Sequence, residues 1–505
     1  MNKFYITTAI DYPSAPPHIG HVYEKVCADV IARWHRKIGD DVFFSTGTDE
    51  HGQKIERCAG DANQKPEDFV SGMTKKFIDL WGRLDISYDS FIRTTQPKHI
   101  EVTQAIFKRI YKKGDIYQGV YQGLYCVDCE AFYLEKDLKS NLCPVHKKKV
   151  EKLKEESYFF KMSKYQDKIL EFIEKNEDFI HPKTRRSEVI NRIKEGLRDL
   201  SISRTSFSWG IPLPIDEKHV IFVWFDALLN YISVLDYPNK KLSKYWPADI
   251  HLIGKDILWF HTVIWLAILF AAEIKLPRKV VVHGFINLKG EKVSKSKGVM
   301  VDPLELVDRF GADAIRYFLL REIPFGEDGD FSEDALVKRI NSDLANDLGN
   351  LLHRTLSMIE QYFQGQIPQP KTPDSFDQPL IRCAQDLPKK YNQGLEDLKP
   401  GLALDSLWVL INTANKYIED TKPWELFKQK NLGRLATVIY NLACVLRRTA
   451  ILLYPFMPQT SKAMLRQLGL SIDLDHGNFS DLLKWGDALV GAKIYKERPL
   501  FPRIV

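Results

Sequence analysis

The sequence predicts an α/β chain in which a doubly wound parallel, Rossmann-like sheet is split by a long insertion and followed by an all-α helix bundle. Three observations predict it. A β-rich run at Phe4 to Thr8, a helical pattern from His18 to about Ile38 and a second β-rich run from Asp41 to Thr46 give the strand, helix, strand order of a parallel unit. Comparable runs return only at Ile250 to Gly254 and Val280 to Phe285, with an apolar helix over Leu258 to Ala272 between them, so an insertion divides the sheet. From Glu333 onward apolar residues recur at helical spacings through Leu336, Ile340, Leu344, Leu348 and Leu351.

In chain order, Pro13, Pro16 and Pro17 force an extended loop after the first strand, and Gly39 ends the helix that follows. The second strand closes in the turn Gly47-Thr48-Asp49-Glu50-His51-Gly52. The insertion carries a cysteine cluster at 126 to 146 and then a charged stretch, expected to be helical, to about Arg204. The proline-bearing segment 366–379 is expected to join two helices of the bundle. The boundaries drawn are 1–112 and 222–285 for the two halves of the sheet, 113–221 for the insertion, 286–344 for a linking region and 345–505 for the bundle with its tail.

A chain of 505 residues needs several cores, and 44% apolar with 27% charged residues is a globular composition. The net charge of +6 permits a polyanionic partner without requiring one. The N-terminus has no apolar leader pattern, so a cytoplasmic protein is expected. The apolar run Val263 to Ala272 falls well short of the roughly 20 residues of a bilayer span, and Arg447 and Arg448 interrupt the other candidate, so no membrane partner is expected.

His18-Ile19-Gly20-His21 lies where the first strand hands over to its helix, the edge at which parallel sheets bind ligands. One helical turn puts both imidazoles on one face beside the unpaired N–H groups of the helix start, and Gly20 leaves room for a purine. A helix cap with a packing glycine is the plainer explanation of the same residues. Lys292-Val293-Ser294-Lys295-Ser296, followed by Gly298, shifts the balance, because two ammonium groups and two hydroxyls on a loop can close over a pyrophosphate. The similar Lys161-Met162-Ser163-Lys164 lies in the insertion, away from the sheet, and is assigned a structural role.

Cys126-x2-Cys129 and, thirteen residues on, Cys143-x2-His146 have the spacing of a tetrahedral zinc site. Protein fills all four positions, so the expected zinc is structural, one per chain. Cys27, Cys58, Cys383 and Cys444 stand apart as isolated hydrophobes.

Residues 18–21 and 292–296 match the two signature motifs of class I aminoacyl-tRNA synthetases, with Val293 for the usual methionine. With Tyr12, Gly47 to Gly52, Trp224-Phe225-Asp226-Ala227, Gly254-Lys255-Asp256 and the tail Leu500-Phe501-Pro502, the chain resembles the methionyl-tRNA synthetase family along nearly its whole length. The resemblance implies that ATP and L-methionine form methionyl-adenylate, and that the terminal adenosine of methionine tRNA, initiator and elongator alike, takes the acyl group. It implies His18, His21, Lys292 and Lys295 as catalytic residues, with Gly20, Asp256, Ser294 and Ser296 also at ATP, and magnesium arriving with the nucleotide. Asp49 is expected at the substrate ammonium. Ile10, Tyr12, Trp224, Ala227, Leu228, Tyr231, Phe260, His261 and Trp265 are expected to form the apolar wall. The Tyr12 hydroxyl and the Ile10 N–H are the candidates for a contact to sulfur, and Leu228 stands where some of these enzymes have proline. The same resemblance places Asn350, Arg354 and Trp424 at the anticodon and the zinc knuckle in the connective insertion. The tail at Arg503-Ile504-Val505 suggests a monomer without an appended barrel.

Three other readings compete. A small nucleotidylyltransferase leaves the insertion and the bundle without work. A non-enzymatic RNA-binding relative sits poorly with intact His18, His21, Lys292 and Lys295. A cysteinyl enzyme would draw zinc ligands from the sheet, whereas all four candidates here lie in the insertion. The insertion is also smaller than the editing domain of the leucine, isoleucine and valine enzymes.

Overall fold

The computed structural model describes the chain except residues 128–130, 134–137, 139, 141, 145–146, 239, 289–290, 293–300, 487–488 and 505. At 121–122, 131–133, 153, 240–241 and 291–292 the backbone alone is described.

The central sheet has six parallel strands. In spatial order they are β3 (Ser90–Arg93), β2 (Asp41–Thr48), β1 (Lys3–Thr8), then Ile250–Gly254, Val280–His283 and Ile180–His181. Strand order reverses between β1 and Ile250–Gly254, which pair through Ile6 with Ile250 and Thr8 with Leu252. Parallel sheets of this kind bind ligands at such a reversal, beyond the strands' carboxyl ends. Two of the strands, β3 and Ile180–His181, escape the periodicity reading because runs this short carry almost no signal. Ile180–His181 belongs to the range assigned to the insertion, yet pairs with Val280 and Val281 as the outer strand of the sheet.

The helix α1 (Ile19–Lys37) follows β1. It begins at His18, an extended residue, and ends with Arg36 and Lys37, cations that suit the negative pole of the helix. It is buried almost throughout, lodged between the sheet and the helical half of the chain.

The insertion is built on an antiparallel sheet in the order Ala131–Tyr133, Ile116–Cys126, Glu151–Phe160, Leu200–Ser201. This corrects the expectation of a helical stretch up to Arg204. Only Gln166–Lys175 and Lys183–Lys194 are α-helices there, because the strand Glu151–Phe160 opens with charges on both faces and so hides its period of two. The look-alike Lys161 to Lys164 serves structure: Ser163 Oγ donates to Asp199 at 2.6 Å and Lys164 to Asp115 at 2.5 Å.

The helical half runs from Glu333. Leu336, Ile340, Leu344, Leu348 and Leu351 are all buried, along a continuous helix to Phe363 whose middle, Ile340–Gly349, is wound as a π-helix. Asp377–Glu396, Pro400–Thr421, Leu432–Leu453 and Pro458–Gln467 complete the bundle. Leu432–Leu453 is apolar and long enough to cross a membrane, but its apolar window is wholly buried as the bundle's central helix.

One buried carboxylate ties these units together. Asp29 of α1 accepts from Arg33 Nε at 2.8 Å and Arg316 at 2.6 Å on one oxygen, and from the N–H and hydroxyl of Ser87 at 2.7 and 2.6 Å on the other. Arg316, itself fully buried, also donates to the carbonyls of Leu84, Pro455 and Phe456. Burial alone would raise the Asp29 carboxyl; Arg33 and Arg316 outweigh it and bring it down to about 2. Its stabilisation is therefore present above the ordinary carboxylate range and lost as pH falls toward about 2. Asp29→Asn leaves two guanidinium groups short of a counter-charge and is expected to lower unfolding stability by about 3–5 kcal/mol. Chemical denaturation checks this, and an unchanged midpoint would refute it.

Candidate active site

His18 and His21 sit at the start of α1, and each ring is fixed by a backbone bond. His18 Nδ1 accepts from Gly20 N–H at 3.1 Å, and His21 Nδ1 accepts from His18 N–H at 3.1 Å, a reciprocal capping box. A backbone N–H can only donate, so Nδ1 of each neutral ring carries no proton and Nε2 carries it. The rings stack with centroids 3.7 Å apart. Two Nε2–H donors thus stand at the positive pole of the helix, a setting suited to an anion. A Cβ on Gly20 would lie 3.0 Å from the His18 ring, so the glycine spares the cap as well as leaving room above it.

Beneath the imidazoles is a charged network that motif reasoning missed. Lys25, fully buried, donates to Asp11 at 2.6 Å, Glu24 at 2.8 Å and the carbonyl of Ala9 at 3.1 Å. Glu24 in turn lies 3.1 Å from His283 Nε2, at the end of the strand leading to the second motif. Burial opposes the Lys25 charge, but the two carboxylates outweigh it and raise the ammonium. Burial pushes the Asp11 carboxyl up to about 7 despite Lys25. Adjacent charges on the buried face of a helix were the available sequence signal.

The turn after β2 is locked from several sides. Asp11 and Thr48 form a parallel bridge, and Asp49 N–H donates to Asp11 O at 2.8 Å. Gly47 must be glycine, since a Cβ there would lie 2.0 Å from Ile92 O. Glu50 accepts from Thr48, Thr74, Arg93 and Thr95. His51 Nδ1 meets Asp226 at 2.7 Å, and the other Asp226 oxygen meets His99 Nε2 at 2.5 Å. Burial works to raise Asp226; His51 and His99 overcome it and leave the carboxyl lowered. Asp226 therefore fixes the turn that presents Asp49, itself 8% exposed. The sequence showed Asp226 only as part of a motif.

The aromatic residues named from the sequence do come together. Trp224 stacks on Phe260 at 3.6 Å, and both are half-buried. Tyr231, His261 and Trp265 are buried behind them, with Ala227 and Leu228 on the helix that carries Trp224. His261 Nδ1 faces Ile257 O at 2.9 Å, a carbonyl that can only accept, so Nε2 at 2.6 Å receives the Tyr231 hydroxyl. Burial pulls His261 down to about 4, keeping it neutral. His251, which the sequence did not single out, accepts from Trp265 Nε1 at 3.3 Å and is also held neutral by burial. The polar groups among these rings, the Tyr231 hydroxyl and the imidazoles of His251 and His261, are thus neutral, a setting for a neutral, polarisable side chain. Ile10 packs on a separate cluster with Val234 and Leu235. The Tyr12 hydroxyl donates to His51 O at 3.0 Å, so as placed here that proton is not directed at a sulfur.

Asp256 is exposed just beyond the strand Ile250–Gly254, and Lys255 is tied to Asp328 at 2.6 Å. The backbone of Lys292 pairs with Asn287. Ser294, Lys295 and Ser296 lie outside the described residues, as do Cys129 and His146. Cys126 and Cys143 are buried, the first ending a strand and the second in a tight turn where Lys147 N–H donates to Cys143 O at 2.8 Å. In the bundle, Asn350 is exposed, Arg354 pairs with Glu419 at 2.7 Å, and Trp424 is half-buried just beyond the left-handed corner at Lys422.

The family model described as tRNA synthetases class I (M) matches residues 4–152 and 134–356, and that for the anticodon binding domain of methionyl tRNA ligase matches 367–492. The methionine–tRNA ligase of Caldanaerobacter subterraneus subsp. tengcongensis is 53% identical, over 99% of this chain and 79% of the relative. That of Thermotoga maritima is 44% identical, over 99% and 80%. Mycobacterium tuberculosis methionyl-tRNA synthetase in complex with methionyl-adenylate superposes with a TM-score of 0.95 at 41% identity, covering 100% of both chains. Its apo form gives 0.88 at 39% identity, over 100% of this chain and 99% of the other. With its sheet, insertion and bundle matched from end to end, the chain belongs to the methionine–tRNA ligase family of class I aminoacyl-tRNA synthetases.

Proposed function

We propose that the chain activates L-methionine with ATP and transfers it to the 3′-terminal adenosine of methionine tRNA, initiator and elongator, in the cytoplasm. The observation that carries this reading is the pair of stacked imidazoles presenting Nε2–H at a helix start, in a chain that also gathers Trp224 on Phe260 and Tyr231 on a neutral His261.

In the first step a methionine carboxylate oxygen attacks the α-phosphorus of ATP, the bond to the β-phosphate oxygen breaks, and pyrophosphate leaves. The protein supplies no nucleophile. Its work is alignment and neutralisation of charge growing on the phosphates. His18 and His21 donate from Nε2. Lys292 and Lys295, with Ser294 and Ser296, complete the clamp from the other side. Gly20 gives the purine room, and Asp256 is a further contact to ATP. Asp49 accepts from the substrate ammonium, while Trp224, Phe260, Ala227, Leu228, Tyr231, His261, Trp265, Ile10 and Tyr12 enclose the thioether. Magnesium, arriving with ATP, would supply further neutralisation of the phosphates.

The donor set at 126–146 suits zinc: Cys126 and Cys143 are buried thiols, and Lys147 N–H donates to Cys143 O at 2.8 Å. Cys126, Cys129, Cys143 and His146 would hold it, giving this small ribbon a cross-link in place of a large core. Asn350, Arg354 and Trp424 are proposed to meet the anticodon. Arg354 has Glu419 as partner, a pair that splayed bases can compete for.

Three measurements test this. Amino-acid-dependent ATP–pyrophosphate exchange should respond to methionine alone, and Lys295→Ala should slow it by about 100-fold or more while methionine still binds. Exchange with another amino acid, or a Lys295→Ala rate equal to wild type, would refute it. Metal analysis should find one zinc per chain, and its removal should lower the melting temperature; unchanged melting would rule out a structural metal. Trp424→Ala should weaken binding of methionine tRNA by about 1–3 kcal/mol, and equal affinity would remove Trp424 from the interface.

A further inference from the structure

Asp11 is held unusually for a residue beside a nucleotide site. Its neighbours in sequence, Ile10 and Tyr12, are expected at methionine, while its own side chain turns away under α1 to the Lys25 ammonium at 2.6 Å. The same oxygen, Oδ1, lies 4.0 Å from His21 Nε2, the nitrogen that carries the ring proton. At that distance the contact is electrostatic and not a hydrogen bond. The second oxygen, Oδ2, is buried and has no hydrogen-bond partner.

An isolated carboxylate here would repel phosphate. Lys25 offsets part of that charge while also pairing with Glu24 at 2.8 Å, and Glu24 reaches His283 at 3.1 Å. The chain of four side chains therefore runs from the loop after β1, through α1, to the end of the strand that leads to Lys292. It spans the strand-order reversal and joins the two sides of the proposed clamp.

We propose that Asp11, kept in place by Lys25, is a positioning residue for adenylate formation that acts through His21. Its carboxylate, 4.0 Å from Nε2, favours positive charge on that ring as negative charge builds on the phosphates, while the helix cap fixes the tautomer. Asp11 itself touches no substrate atom. This inference rests on the functional reading above.

The test is methionine-dependent pyrophosphate exchange by the full chain carrying Asp11→Asn, an isosteric change, together with His21→Asn and the double variant. Asp11→Asn should lower kcat by about tenfold or more, leaving KM for methionine within about twofold. In the His21→Asn background the same change should cost nothing further, because its route of action is gone. Wild-type kcat in Asp11→Asn, or an undiminished loss in the double variant, overturns the proposal. Nitrogen-15 spectra of the histidines in the wild-type protein add a readout that needs no variant to fold. His21 should show Nε2 protonated and Nδ1 bare, and the opposite tautomer overturns the proposal. Absence of exchange in the wild-type chain would overturn the functional reading itself.

Discussion

Two backbone N–H groups, those of His18 and Gly20, decide which nitrogen each active-site imidazole presents. Ordinary capping residues satisfy a helix start through a side-chain oxygen. A histidine has two nitrogens, so one can close the helix while the other remains a donor. The cap is therefore structural and functional at once, and stacking at 3.7 Å keeps both rings in a common orientation. Of the two explanations of His18-Ile19-Gly20-His21 that compete at the level of sequence, the helix cap is what the rings form through Nδ1, and the proposed phosphate contact would use Nε2 of the same rings.

The helix begun by this cap extends the constraint through the molecule. Near its start Glu24 and Lys25 reach the loop after β1 and the strand before Lys292. One turn on, Asp29 gathers Arg33, Arg316 and Ser87, and through Arg316 the carbonyls at Pro455 and Phe456 of the bundle. Near its end Lys37 donates to Gly477 O at 2.8 Å. A single buried helix thus touches the proposed adenylate site and the bundle proposed to read tRNA. Desolvated ion pairs are costly to rearrange, which makes this a stiff connection.

The sequence made the broad organisation legible where patterns were long. The helix from His18, the β-rich runs at 4–8 and 250–254 and the buried leucines after Glu333 all stand where periodicity put them. Short or charged elements were not legible. The strands Ser90–Arg93 and Ile180–His181 are too brief to show a period, and the ribbon Glu151–Phe160 carries charges on both faces. At the site, motif position brought out Trp224, Phe260, Tyr231 and His261, which do assemble. It was silent on Asp11, Lys25, Asp226 and His251, because a residue that orients another leaves its mark in three dimensions and not in spacing.

The most direct test of the account is a crystal structure of the chain with methionine and a non-hydrolysable ATP analogue. The account predicts phosphate oxygens within about 3 Å of Nε2 of both His18 and His21, with the two Nδ1 bonds to the backbone intact and the thioether among Trp224, Phe260 and Tyr231. Phosphates bound away from the start of α1, or held through Nδ1 with the helix cap broken, would contradict it.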